Sequence, residues 1–195
     1  MTAVLRTACV AALLSACTPV ANAPLTRSSP PAASVAQDRS ALVATDLAAA
    51  DLAFEQGDTA ALAPLLTRLR AQGAHPLDAS DGDPVAQWEA ATGTDEPPFR
   101  GRVLGPGYSR GRLAPGANAV LQQTFFSGQK TALSIGERNP ATLRLRVFDS
   151  KSRLVCEHAP AHGKVCRFTP IFTQRYKIEI RNGGQRDAVY YLAVE

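Results

Sequence analysis

The sequence predicts an α+β protein, a small N-terminal helical region followed by an antiparallel β-sandwich. Three observations carry this. Between residues 38 and 98 apolar side chains recur at helical spacing; between residues 99 and 195 they alternate with polar ones at a period of two; and the charge changes sign at the junction. Residues 18–100 hold five Lys and Arg against eleven Asp and Glu, and residues 101–195 hold fifteen against six. The overall charge of +4 thus hides an acidic region joined to a basic one. A chain of 195 residues that is 45% apolar can bury a real core, and its composition is not that of a disordered or collagen-like polymer. No apolar run reaches the ~18 residues that a membrane-spanning helix requires.

In chain order, one basic residue, Arg6, precedes a short apolar run from Thr7 to Leu14, the layout of a secretory signal. The run ends in Leu14-Ser15-Ala16-Cys17, which matches the bacterial lipobox at every position. Small residues there admit the peptide bond to the lipoprotein signal peptidase, and the Cys17 thiol accepts a diacylglyceryl group. The competing reading is a cut after Ala21-Asn22-Ala23, but Pro24 would follow that cut and is poorly accepted. Residues 1–17 are therefore expected to be a lipoprotein signal peptide ending at a lipidated Cys17, and several acyl chains anchor stably where one binds marginally. Thr18, in place of an Asp after the Cys, fits onward passage, so the expected location is the cell envelope, at the outer membrane facing the periplasm. Residues 18–37, rich in Pro, Ser, Thr and Ala, are expected to be a disordered tether spanning about 25 Å as a coil.

Residues 38–98 are expected to form a small acidic helical subdomain. Val43, Leu47, Ala50 and Phe54 make an apolar stripe, Gly57 is placed to end that helix, and Asp58 to cap the next. Leu62, Leu65, Leu66 and Leu69 mark the second helix, which Pro64 is expected to delay until near its own position. The third has Asp83 as cap, Pro84 in the first turn, Trp88 as anchor and Gly93 as stop. The stretch 53–58 with Leu65-Leu66 and Gly73-Ala74 looks like part of an ankyrin or tetratricopeptide unit, but barely one repeat is present and a lone unit cannot stack.

Residues 99–195 are expected to form the basic β-sandwich domain. Leu143, Leu145 and Val147 alternate with Arg144, Arg146 and Phe148, and Tyr176, Ile178 and Ile180 alternate with Lys177, Glu179 and Arg181. Further strands are expected over 119–126, 131–135, 154–157, 165–168 and 188–194, with turns at Ser127-Gly128, Asn139-Pro140, Asp149-Ser150 and Asn182-Gly183-Gly184. Seven short strands at this spacing predict two packed sheets, and the aromatics of this half are expected to fill the space between them.

The order Phe126-Ser127-Gly128, a strand ending at Asp149, Phe168-Thr169-Pro170, Tyr176-Lys177-Ile178 and a closing Tyr190-Tyr191-Leu192-Ala193-Val194 resembles the bacterial pre-peptidase C-terminal (PPC-like) domain over residues 105–195. The resemblance implies a jelly-roll-like extracellular sandwich without catalytic residues of its own. Gln174-Arg175 stands where that family usually has a Gly, and no protease domain accompanies it here.

Two constellations bear on chemistry. Cys156 and Cys166 bracket His158 and His162; pairing positions about a loop at 159–163 sets the two cysteines opposite each other in a hairpin, and an oxidising compartment favours a disulfide. The alternative is a metal site of Cys156, His158, His162 and Cys166, four ligand types suited to zinc. On the strand faces, Arg144, Arg146, Arg175, Lys177 and Arg181 are the candidate binding face, able to meet an acidic protein or an anionic glycan or lipid. The bland alternative is a solvated face with edge-protecting charges. No nucleic-acid reader motif accompanies these charges, and nucleic acid is not an expected partner. Asp78, Asp81 and Asp83 lack the EF-hand spacing, so calcium is not expected. With no Gly-x-Ser-x-Gly, His-Glu-x-x-His or phosphate loop, the expectation is a non-catalytic protein without a cofactor. It would be anchored to the membrane by lipid and bind another envelope component. The alternatives are a metal-dependent or hydrolytic enzyme using the His158/His162 hairpin, or a structural spacer.

Overall fold

The computed structural model describes residues 38–78, 82–93, 105–140 and 143–195, and Ala36–Glu195 forms one compact unit. Cys17, the tether and the Glu96-Pro97-Pro98 boundary lie outside the described residues. The architecture is α+β, as the periodicities predict: the described residues form three helices, all before Gly107, and two largely antiparallel sheets that pack as a sandwich.

Helix α1 (Arg39–Glu55) ends where Gly57, at φ +69°, turns the chain back so that the Asp58 amide reaches the Ala53 carbonyl at 2.9 Å. Asp58 then caps α2 (Thr59–Ala71) by accepting from the Ala61 amide. Pro64 lies inside α2, so the helix starts earlier than the proline suggested. The cap and four buried leucines, Leu62, Leu65, Leu66 and Leu69, outweigh the one lost backbone bond. A two-residue strand, β1 (His75–Pro76), precedes α3 (Pro84–Thr92), where Asp83 accepts from the Val85 and Ala86 amides and Gly93 closes the helix at φ +67°. No helix of the described residues is long and apolar enough to cross a membrane.

Eight further strands follow: β2 (Gly107–Leu113), β3 (Asn118–Phe125), β4 (Thr131–Glu137), β5 (Leu143–Phe148), β6 (Leu154–His158), β7 (Val165–Phe168), β8 (Gln174–Asn182) and β9 (Ala188–Val194). One sheet runs β1-β2-β9-β4-β7, the other β3-β8-β5-β6; among the strands of the described residues only the short β1–β2 pair is parallel. Seven of these strands fall where the sequence placed strands, two of them, β5 and β8, by alternation. The eighth, β2, carries Gly107 and Gly111 and no clear period, because its backbone must pass close to its neighbours: a Cβ on Gly111 would stand 2.4 Å from the Tyr190 ring.

The sheets enclose one core, with Leu133 and Ile135 from β4, Leu145 and Val147 from β5, Ile178 and Ile180 from β8, and Tyr190 and Leu192 from β9. Strand β9 is buried along its whole length because Val189, Tyr191 and Ala193 point the other way, into a second core shared with the helices. There Trp88, 2% exposed, packs between the Phe54 and Tyr191 rings. Helix α1 lies on β4 and β9, close enough at Gly136 that a Cβ would stand 1.8 Å from the Ala44 carbonyl oxygen.

The aromatics divide more finely than expected. Phe125, Phe168 and Tyr176 stack in the sandwich and Tyr190 joins them in its core, but Tyr108 and Tyr191 face the helices. Phe126 and Phe172 are exposed.

The Cys156–Cys166 disulfide is formed, with a Cα separation of 5.8 Å. Its setting corrects the sequence reading. Strand β6 pairs with β5 in one sheet and β7 with β4 in the other, so the bond staples the two sheets together rather than closing a hairpin. The residues between β6 and β7 cross from sheet to sheet, which symmetric pairing about a loop cannot anticipate.

Candidate functional site

The two sheets differ in what covers their outer faces. The five-stranded sheet carries the helices, and the acidic region's charges are used there. Asp51, buried on α1, accepts from Arg110 at 3.3 Å and Arg138 at 3.3 Å, and Arg110 Nε donates to the Tyr191 hydroxyl at 3.0 Å. Arg138 also pairs with Glu55, and Arg167 with Asp38. Burial first, and then the neighbouring Asp51 charge, push the Tyr191 hydroxyl far above its ordinary titration range; burial and a 2.5 Å hydrogen bond to Asp83 do the same for Tyr108. Both phenols therefore stay protonated, Tyr108 donating to Asp83 and Tyr191 accepting from Arg110.

Among the described residues no helix lies on the outer face of β3-β8-β5-β6, and here the register brings the predicted cations together. Arg144 stands directly opposite Arg181, Arg146 opposite Glu179, and Phe148 opposite Lys177. Strand β3 continues the rows, with Asn118 beside Arg181, Val120 beside Glu179, Gln122 beside Lys177 and Thr124 beside Arg175. All five predicted residues thus lie on adjacent strands of one face.

Their electrostatics are uneven. Glu179 takes Lys177 and Arg146, each at 2.8 Å, and is held below the usual carboxylate range chiefly by the Lys177 hydrogen bond, against the opposing effect of burial. Arg146 and Lys177 also lie over the Phe148 ring, at 5.5 Å and 4.6 Å from its centroid. Arg144 meets Glu157 only at 3.5 Å. Arg175 donates to the Gln122 amide oxygen at 3.3 Å, and neither it nor Arg181 has an ion pair among the described residues. The centre of the face is neutralised while its two ends, six residues or about 20 Å apart along β8, stay positive. Sequence reasoning placed the cations but gave Glu179 no role, although the alternation of β8 already pointed it outward between Lys177 and Arg181.

The histidines have other employment. His162 Nδ1 accepts from the Glu137 amide at 2.9 Å, and His158 Nε2 lies 3.1 Å from the Val165 carbonyl. Donor atoms of Cys156, His158 and Cys166 fall within 4.8 Å of one another, yet both sulfurs are spent in the disulfide and His162 does not join the group. Asp83 serves α3 and Tyr108, and Asp81 lies outside the described residues.

No protein-family model matches the chain, and no curated protein matches it. Solved structures do. A periplasmic inhibitor of g-type lysozyme from Aeromonas hydrophila matches at 12% identity and a TM-score of 0.39, covering 46% of this chain and 84% of the inhibitor. The pre-peptidase C-terminal domain of a Bacillus anthracis collagenase matches at 14% identity and 0.41, covering 46% and 89%. A Yersinia pseudotuberculosis-derived mitogen matches at 11% and 0.39, covering 46% and 83%. At these scores the similarity does not extend to activity or partners.

Proposed function

We propose that this is an exported, lipid-anchored envelope protein whose sandwich is non-catalytic and binds an anionic envelope component, protein, glycan or lipid, on the open face of β3-β8-β5-β6. One observation carries the reading: Arg144 and Arg181 oppose each other across neighbouring strands on an uncovered face, with Arg181 lacking an ion pair among the described residues. Like charges directly opposite cost stability, and a bound phosphate or carboxylate relieves that cost. The disulfide supports export, since such bonds persist in oxidising compartments. The lipobox ending at Cys17 supports attachment, at the outer membrane by the residue that follows it.

The test of the face is Arg175→Glu with Arg181→Glu. The variant is expected to fold with a melting midpoint no lower than wild type, since the new carboxylate at position 181 would stand opposite Arg144, and to lose the partner recovered by crosslinking in intact cells. An identical crosslinked product from both proteins would reduce the face to a solvated surface. The anchor is tested by intact mass of the mature chain: a diacylglyceryl-modified Cys17 start is expected, and an unmodified start after Ala23 would refute it. Metal analysis of protein purified without chelator separates the enzyme alternative, which requires stoichiometric metal with both thiols free.

A further inference from the structure

Three large apolar side chains are exposed together at one end of the sandwich. Phe126 is 57% exposed in the β3–β4 loop, and Ile171 and Phe172 are 80% and 71% exposed in the β7–β8 loop. These loops are bound to each other. The Ser127 amide donates to Thr173 Oγ1 at 3.0 Å, Ser127 Oγ donates to the Ile171 carbonyl at 2.6 Å, and the Gly128 amide donates to the Pro170 carbonyl at 2.9 Å. The apolar tip is thus a braced element, already paired through its backbone and with its side chains left outside. An exposed apolar cluster of this kind marks a contact with something apolar.

The same end is basic. The β5–β6 turn lies there, since Ser150 Oγ donates to Gln174 at the start of β8. Lys130, Lys151 and Arg175 rim the tip without an ion pair among the described residues. The side-chain carboxylates that the described residues place at this end are already engaged: Asp149 with Arg153, Asp38 with Arg167, and Glu195 with Arg39. Those last two pairs also fix where the described chain begins. Asp38 and the first turn of α1 sit at this end, beside β7 and the residue following β9.

From this juxtaposition of braced apolar side chains, a cationic rim and the entry of the N-terminal segment, we propose that this end of the sandwich docks on the bilayer, with Phe126, Ile171 and Phe172 in the interface and Lys130, Lys151 and Arg175 against anionic headgroups. Apolar side chains in the headgroup boundary and cations outside it are the two terms that bind a protein to an anionic membrane surface. The inference rests on the anchoring proposed above for its reach, because a 20-residue coil of about 25 Å keeps the tip within range of the lipid. It rests on the tip's own chemistry for its affinity. Docking in this way fixes the orientation of the molecule and leaves the open sheet face standing away from the membrane along its side.

The test uses Phe172→Trp in the full mature chain, reconstituted in phosphatidylethanolamine vesicles with and without phosphatidylglycerol. The only native tryptophan, Trp88, is buried at 2% exposure and provides a constant background. Emission of the introduced indole is expected to shift to the blue, to be quenched by brominated lipid and to be shielded from acrylamide, more so with phosphatidylglycerol. In that background Ile171→Ser is expected to move the docked-to-undocked ratio about tenfold toward the undocked state. Lys130→Ala should move it about fivefold, and only in the anionic vesicles. All these positions are exposed, so an unchanged melting midpoint is expected and checks folding. If intact mass shows no acyl group, the same chain is mixed with preformed vesicles: quenching then supports the docking while the anchor falls. An introduced indole fully accessible to acrylamide in both vesicle types overturns the proposal. So does protection seen in cells but not with vesicles, which would assign the tip to a protein partner.

Discussion

The two outer sheet faces are built from similar residues and put to opposite uses. On the five-stranded sheet, Arg110 and Arg138 converge on a buried Asp51, and the helices that bring this carboxylate also cover Tyr108, Val189, Tyr191 and Ala193. On the four-stranded sheet, Arg144, Arg146, Lys177 and Arg181 have only Glu157 and Glu179 to meet, and nothing among the described residues covers them. Arginine on a strand is therefore not a functional signal in itself. What separates the faces is whether an acidic element from elsewhere in the chain arrives to use the charge. The acidic half of the sequence answers one part of the basic half and leaves the other open.

That contrast predicts unequal responses to substitution. The largest effect is expected on the covered face, where Trp88→Ala should cost about 3–5 kcal/mol, read as a fall in the urea midpoint. Gly136→Ala should follow at about 3 kcal/mol, because the new methyl group meets the backbone of α1 rather than a side chain that can move. A loss under 0.5 kcal/mol at either site would mean that the helices are not held to the sheet as described. Between the sheets, Cys156→Ser with Cys166→Ser should cost about 2–3 kcal/mol, the value for closing a loop of this length. The double variant should match the reduced wild-type protein in the same melt. On the open face, Arg144→Ser should change stability by under about 0.5 kcal/mol.

The smallest expected effect is the part of the pH dependence that Glu179 contributes on the open face. Glu179 is depressed in the folded state, so its contribution is present above the unfolded glutamate pKa and is lost as pH falls through the folded value. The melting midpoint of wild type should fall more between about pH 5 and pH 3 than that of Glu179→Gln. Parallel curves for the two proteins would show that the carboxylate is idle.

Much of this fold is legible in the sequence because each signal reports a local cause. Asp58 and Asp83 cap helices wherever they stand before one, and the alternation Leu143–Val147 has only one way to bury its apolar residues. The failures are equally physical. Strand β2 is held by its neighbours, and its glycines serve those neighbours rather than its own period. The β6–β7 connection looks like a hairpin because cysteines at a separation of 10 suit one, whereas sheet membership is decided by β5 and β4, far away in sequence. Of the candidate face, the outward direction of each cation is local and readable. Its neutralised centre and free ends depend on which strands become neighbours. The exposed tip escaped notice for the same reason, since Phe126 and Phe172 look like core residues until their loops are placed.

The most direct measurement is a photo-crosslinking amino acid at position 181, on the open face, compared in living cells with the same group at exposed position 67 on α2. A single discrete adduct from position 181, absent from position 67 and lost when Arg175 is also changed to Glu, is the result predicted. Indistinguishable, diffuse labelling from both positions would contradict a binding role for the uncovered sheet.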